Sequence, residues 1–272
     1  RAPVLAKNAV ASSQPLATQA GIEVLQSGGN AVDAALATAI TLTVVEPTMN
    51  GLGGDGFALI WDGKKLHGMN ASGRAPAAWT PDYFAGKTAM DLIGWNTVTV
   101  PGMVSGWIEL SRKFGKLPFA QLFKRAIDFA ENGFPVSPVI ARQWPGFTDS
   151  FLIDGKAPTA GQLWRYPAQA KTLREIADTE GESFYTGKLA QSMVDFAQST
   201  GGCFTMEDFA NNQTEWVEPL AFDYGEYTLH EIPPNGSGIV AQMALGILQA
   251  ANVKQYPANS AQRIHLQVEA MR

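Results

Sequence analysis

The feature that most constrains this 272-residue chain is one stretch near its start. Gly28-Gly29-Asn30-Ala31-Val32-Asp33-Ala34-Ala35 is followed by Glu46-Pro47, then by Gly51-Leu52-Gly53-Gly54-Asp55-Gly56, which runs into Phe57-Ala58-Leu59-Ile60-Trp61. Asn30 is placed to cap a helix, with Asp33 three residues on in its first turn. Ala31, Ala34, Ala35 and Ala39 make that helix thin enough to pack close to a sheet. Glycines 51, 53, 54 and 56 are expected to supply positive dihedrals and close backbone approach in a loop entering a buried strand. No Lys-Ser/Thr pair follows them, and the order is helix, loop, strand, which argues against a phosphate cradle.

Punctuation elsewhere divides the chain. Ser13 and Pro15 open a first helix that Gly28-Gly29 ends, and Asp62-Gly63 marks a hairpin between strands at 57–61 and 65–69. Residues 70–101 read as a surface excursion ending in a strand-like piece at 97–100, with helices following at 102–114 and 118–132. Residues 146–166 are loop-rich, helices are expected at 168–180 and 189–199, and Thr205 with Asp208 resembles a capping box. Strands are expected at 220–223 and 227–232, ended by Pro233-Pro234. Residues 239–251 are apolar on almost every side, as in a helix buried between layers, and Ser260 opens a last helix. Its stripe of Ile264, Val268 and Met271 reaches the final residue without a stop signal, so further sequence is expected beyond Arg272.

Composition narrows the function classes. A hydrophobic content of 46% supports a sizeable core, while 17% charged residues, a net charge of −5 and the lack of basic runs argue against nucleic acid or an acidic membrane surface. The single cysteine, Cys203, has no partner for an internal disulfide and reads as a small buried residue, so either a periplasmic or a cytoplasmic setting is compatible. His67, His230 and His265 lie far apart, the first two in expected strands, so no metal site is expected. The longest apolar run, near residues 34–45, is too short to span a bilayer.

The opening stretch, taken whole, resembles the large subunit of the gamma-glutamyltranspeptidase family. Ala75-Pro76-Ala77, then Thr97-Val98-Thr99-Val100-Pro101-Gly102, Phe184-Tyr185 with Gly187, and Gly201-Gly202 with Glu207-Asp208-Phe209 match its landmarks in order. Tyr224-Gly225 with Tyr227, and Pro233-Pro234 with Gly238, extend the match over nearly all 272 residues. The resemblance implies an α/β N-terminal-nucleophile hydrolase fold of four layers, αββα, completed by a second chain. It makes residues 1–272 a single domain, the large-subunit part of a heterodimer and incomplete at its C-terminus. The activity implied is a self-processing amide hydrolase or acyl transferase, made as a zymogen, acting on gamma-glutamyl compounds such as glutathione. Acylases that act on glutaryl side chains of cephalosporins are the alternative within the family, and a catalytically silent binding subunit that keeps the fold but has lost self-processing is the alternative from another function class.

An N-terminal nucleophile must begin its own chain, because its free α-amine serves as base, and Arg1 cannot do this. The resemblance places a threonine or serine nucleophile on a small subunit produced by self-cleavage beyond Arg272, so no catalytic residue and no cofactor are assigned here. A triad within the chain lacks a Gly-x-Ser-x-Gly elbow. By resemblance the large subunit supplies an arginine that grips the substrate's α-carboxylate, and Arg74 is the candidate, with Ser72 and Asn70 as weaker partners. Ser72-Gly73-Arg74-Ala75-Pro76 departs from the common pattern, in which the arginine stands three residues before Ala-Pro and precedes a glutamate. Arg74 therefore reads either as a substrate contact or as a surface arginine. Asp55, at a position usually neutral, reads as structural before it reads as substrate-facing. The turn Pro233-Pro234-Asn235-Gly236-Ser237-Gly238 reads as architecture.

Overall fold

The structure is a computed structural model and describes residues 5–144, 146 and 148–272. In chain order it contains α1 (Pro15–Gln26), α2 (Ala31–Val45), β1 (Gly56–Trp61), β2 (Leu66–Ala71), α3 (Met103–Phe114), α4 (Lys124–Asn132) and β3 (Phe134–Pro135). There follow α5 (Pro138–Gln143), β4 (Leu163–Trp164), α6 (Pro167–Asp178), α7 (Glu182–Tyr185), α8 (Lys188–Ser199) and α9 (Met206–Ala210). The last elements are β5 (Glu215–Val217), β6 (Leu220–Tyr224), β7 (Tyr227–Glu231), α10 (Gly238–Ala250) and α11 (Ala261–Met271). They form two compact units: Arg1–Gly54 with Gly73–Gln213, and Asp55–Ser72 with Thr214–Arg272.

In the first unit α2 is the central helix. Asn30 accepts hydrogen bonds from the Val32 and Asp33 amides at 2.9 and 3.0 Å, and the Asp33 carboxylate accepts one from the Asn30 amide at 2.9 Å, the expected reciprocal cap. Asp33 is wholly buried and also accepts from the amides of Lys116 and Leu117, so the same carboxylate fixes the chain leaving α3. At the other end, buried Glu46 accepts from Ser13 Oγ at 2.6 Å and Asn50 Nδ2 at 2.9 Å, which ties the end of α2 to the start of α1. Gly28, at φ +91°, ends α1, and the Gly29 amide donates to the Val24 carbonyl at 3.0 Å. Around α2 pack α1, α3 and α4. A second core of Val100, Val194, Phe204 and Phe209 lies under α8 and α9.

In the second unit β1, β2 and β5 form an antiparallel sheet in that order, and β6 pairs with β7 under α10. Asp62 makes the first turn: it accepts from the amides of Lys64 and Lys65 and from His67 Nε2 at 2.7 Å. The Lys65 amide first, then His67, hold its carboxyl well below the usual carboxylate range.

Several expectations are corrected. Residues 97–100 are not a strand: Trp95–Thr97 is a 3-10 turn, and Val100 makes an isolated backbone bond to Arg74. None of glycines 51, 53, 54 and 56 has a positive φ, and a Cβ on Gly51 or Gly53 would meet open space. The helix expected at 118–132 begins as a 3-10 turn, Phe119–Phe123, and turns α-helical at Lys124. Finally, α10 is not buried all round. Only Gln242 and Ala244 are buried, while Ile239, Val240, Met243 and Ile247 are about half exposed, each forgoing roughly 1 kcal/mol of burial.

Candidate functional site

The loop carrying Arg74 is pinned at three points within the first unit. Gly73 sits at φ +81°, and a Cβ there would overlap the Val100 carbonyl oxygen, so only glycine fits against that strand-like segment. The Val100 amide donates to the Arg74 carbonyl at 2.9 Å. Three residues on, the Ala77 amide donates to Asp208 Oδ1 at 2.8 Å. Asp208 is the third residue of α9 and completes its capping box with the N-cap Thr205: its other oxygen accepts from the Thr205 amide and hydroxyl, both at 2.8 Å. Pro76 is buried between these anchors, while the Arg74 side chain is exposed.

The segment that receives this loop also receives the glycine loop. The amides of Gly102 and Met103 both donate to the Gly54 carbonyl at 3.1 Å, and Pro101 accepts from the Tyr185 hydroxyl at 2.7 Å. Tyr185 in turn accepts from the Ser105 amide at 2.9 Å, and burial pushes its phenol up to about 12. Residues 100–103 thus hold Arg74 on one side and Gly54 on the other. Near the same loop, the buried indole N–H of Trp79 finds no acceptor among the described residues.

Ser72 and Asn70 belong to the second unit. Ser72 is half-buried, and its amide donates to Asn70 Oδ1 at 3.0 Å. Buried Asn70 donates to Asn235 Oδ1 at 2.7 Å, which anchors the turn after Pro233-Pro234. Asn70 is therefore a structural hub, and the turn at 233–238 is architecture built around it. Asp55 is exposed. Cys203 is partly covered.

The chemistry available is that of recognition. A guanidinium on a fixed loop presents a planar fork that pairs with a carboxylate through two charge-assisted bonds, each worth roughly 1.5–3 kcal/mol where water is excluded. Among the described residues no group of three His, Cys, Asp or Glu side chains could hold a metal ion, and no helix is long and apolar enough to cross a membrane. Sequence reasoning missed the Asp208–Ala77 link, because the two ends lie 131 residues apart. The one sequence signal for it was the Thr205–Asp208 cap, whose second oxygen remained to be assigned.

Comparison with known proteins places these features. A family model described as gamma-glutamyltranspeptidase matches residues 17–272. The glutathione hydrolase-like YwrD proenzyme of Bacillus subtilis is 37% identical over 98% of this chain and 53% of its own length. The oxamate amidohydrolase proenzyme of Klebsiella pneumoniae is also 37% identical, over 94% of this chain and 51% of its own. The crystal structure of cephalosporin acylase from Bacillus halodurans superposes with a TM-score of 0.88 at 42% identity, covering 100% of this chain and 55% of that one. The chain thus spans about half the length of the curated relatives it matches, and its mixed α/β architecture is that of the solved enzymes. On the family match, the identity and the fold together, the chain belongs to the gamma-glutamyltranspeptidase family.

Proposed function

We propose that this chain is the large-subunit part of a self-processing amide hydrolase or acyl transferase acting on gamma-glutamyl compounds such as glutathione. The match of residues 17–272 to the family carries this reading. In it a small subunit begins with a threonine or serine whose hydroxyl oxygen attacks the γ-carbonyl while its own α-amine takes the hydroxyl proton. The amine of the substrate leaves with a proton, an ester joins the acyl group to the nucleophile, and water or a second amine releases it. Arg74 grips the α-carboxylate of the acyl group, and Ser72 is the weaker candidate contact.

A glutaryl-amide acylase is the second reading. Ser72-Gly73-Arg74-Ala75-Pro76 and the 42% identity to a cephalosporin acylase favour it. Kinetics of the whole processed protein on matched gamma-glutamyl and glutaryl anilides separate the two. The gamma-glutamyl reading requires the higher kcat/KM on the gamma-glutamyl anilide, and a preference for the glutaryl anilide selects the second. Absence of turnover on both leaves the silent binding subunit.

A further inference from the structure

Within the first unit a cleft of about 300 Å³ opens between the turn that follows α2 and the start of α6. Asn50, Gly51 and Leu52 line it from the turn, and Phe151, Tyr166 and Gln169 line it from the later part of the unit. The Phe151 and Tyr166 rings have their centres 5.0 Å apart and are backed by buried Trp164, which stacks nearly parallel on Phe151 at 6.0 Å and lies 5.4 Å from Tyr166. Trp144 donates its indole N–H to the Phe151 carbonyl at 2.8 Å, and the Tyr166 amide donates to the Ala130 carbonyl at 2.8 Å, so both ring-bearing residues are anchored. An aromatic wall fixed in advance costs a ligand little further ordering.

None of the described residues lining the cleft is charged. Gln169 turns its amide N–H group onto the Thr43 carbonyl and hydroxyl at 3.0 and 3.3 Å, and Asn50 turns its own onto Glu46 at 2.9 Å. Their side-chain carbonyl oxygens remain as acceptors for an N–H. The cleft is also tied to the Arg74 loop. Leu52 stands two residues before Gly54, whose carbonyl receives the Gly102 and Met103 amides, and Val100 of that same segment holds the Arg74 carbonyl.

We infer that this cleft is the subsite for the amine half of the amide substrate, and that it selects amines bearing an uncharged aromatic ring. The inference rests on the amidase reading above and extends it: Arg74 holds the acyl half, while the ring of the departing amine lies against Phe151 and Tyr166. The cleft is at the small end of ligand pockets, which suits one ring and its amide link. A ring that leaves water for such walls gains about tenfold or more in binding. A charge on the amine half would lose water without meeting an opposite charge, so amides of aromatic amines are preferred over those whose amine half is charged.

The test uses the full-length processed protein with gamma-glutamyl benzylamide and gamma-glutamyl methylamide, which differ by one phenyl ring. Tyr166→Ala is expected to lower the benzylamide-to-methylamide ratio of kcat/KM at least tenfold. Ala168→Phe, which fills the cleft from an exposed position in the first turn of α6, is expected to lower the ratio as much and keeps the test open should Tyr166→Ala not fold. A ratio unchanged in the folded variants overturns the inference. A second readout needs no turnover. N-benzylacetamide has the ring and the amide but no carboxylate for Arg74, and calorimetry should find that it binds the parent saturably and Ala168→Phe at least tenfold more weakly. Absence of saturable binding to the parent, or equal binding to both, overturns the inference. Binding of this probe without turnover of either amide counts against the proposed function alone, and turnover of both amides with an unchanged ratio counts against the subsite alone.

Discussion

Asp208 caps α9 with one carboxylate oxygen and holds the Ala77 amide with the other, at 2.8 Å, so a local helix signal and the Arg74 loop share one side chain. Replacing it with alanine removes the carboxylate half of the capping box, while Thr205 still caps the helix, and leaves the Ala77 and Thr205 amides without their acceptor. The expected cost is about 2–3 kcal/mol, read from the urea midpoint of the whole protein. Asp208→Asn keeps one acceptor oxygen, so it should lose less stability while still raising KM through the loosened loop. Equal stability loss in both variants would contradict the division of work between the two oxygens.

Gly73 is the tightest position of that loop. Gly73→Ala puts a methyl group into the Val100 carbonyl at a backbone conformation that L-residues avoid, and the expected loss exceeds 2 kcal/mol. Thermal unfolding of the variant beside the parent reads it. A change below about 0.5 kcal/mol, the range of an ordinary surface substitution, would show that the loop is free to move away from Val100.

Asp33 should matter more than its place in a cap suggests. It is wholly buried and serves the amides of Asn30, Lys116 and Leu117, so Asp33→Ala strands several donors at once. A loss of about 3 kcal/mol or more is expected, against about 1 kcal/mol for a cap alone. Chemical denaturation distinguishes the two values.

Tyr185 gives the fold an alkaline limit. Its phenol is pushed up to about 12 from an ordinary value near 10, chiefly by burial, so the folded state holds the proton more tightly than the unfolded chain does. The stability it contributes is fully present below pH 10 and is lost as pH rises through about 12. Absorbance titration at the phenolate band should show one late-titrating group that Tyr185→Phe removes. Titration of that group at pH 10 would contradict the enclosed hydroxyl.

What the sequence disclosed followed from the range of the forces involved. The Asn30–Asp33 and Thr205–Asp208 boxes, the Gly28 stop and the hairpin at Asp62-Gly63 are settled within four residues, and each is present as expected. The strands β3, β4 and β5 are two or three residues long, too short for a periodic trace, and their pairings join residues far apart. At 97–100, strand propensity did not produce a strand: the Val100 amide bonds the Arg74 carbonyl, and no ladder forms. A Cβ on Gly51 or Gly53 would meet open space, and α10 keeps an exposed apolar arc, so the dense apolar sequence there did not translate into burial within this chain. Arg74 and Ser72 were legible as candidates from the Ala75-Pro76 landmark. The pins that fix the Arg74 loop, Gly73 among them, were not.

Arg74→Ala in the processed protein is expected to lower kcat/KM at least tenfold on a gamma-glutamyl anilide, about 1.4 kcal/mol, with Gly73 and Val100 still holding the loop. An unchanged ratio removes Arg74 from the substrate contact and leaves the family assignment intact.

The central claim, a self-processed amidase with its nucleophile on a second chain, is tested most directly by mass spectrometry of the full-length protein after incubation with an acyl donor. Two chains are expected, the second beginning with threonine or serine and carrying the acyl group on that first residue. An uncleaved chain, or a second chain whose first residue bears no hydroxyl and gains no mass, would contradict it.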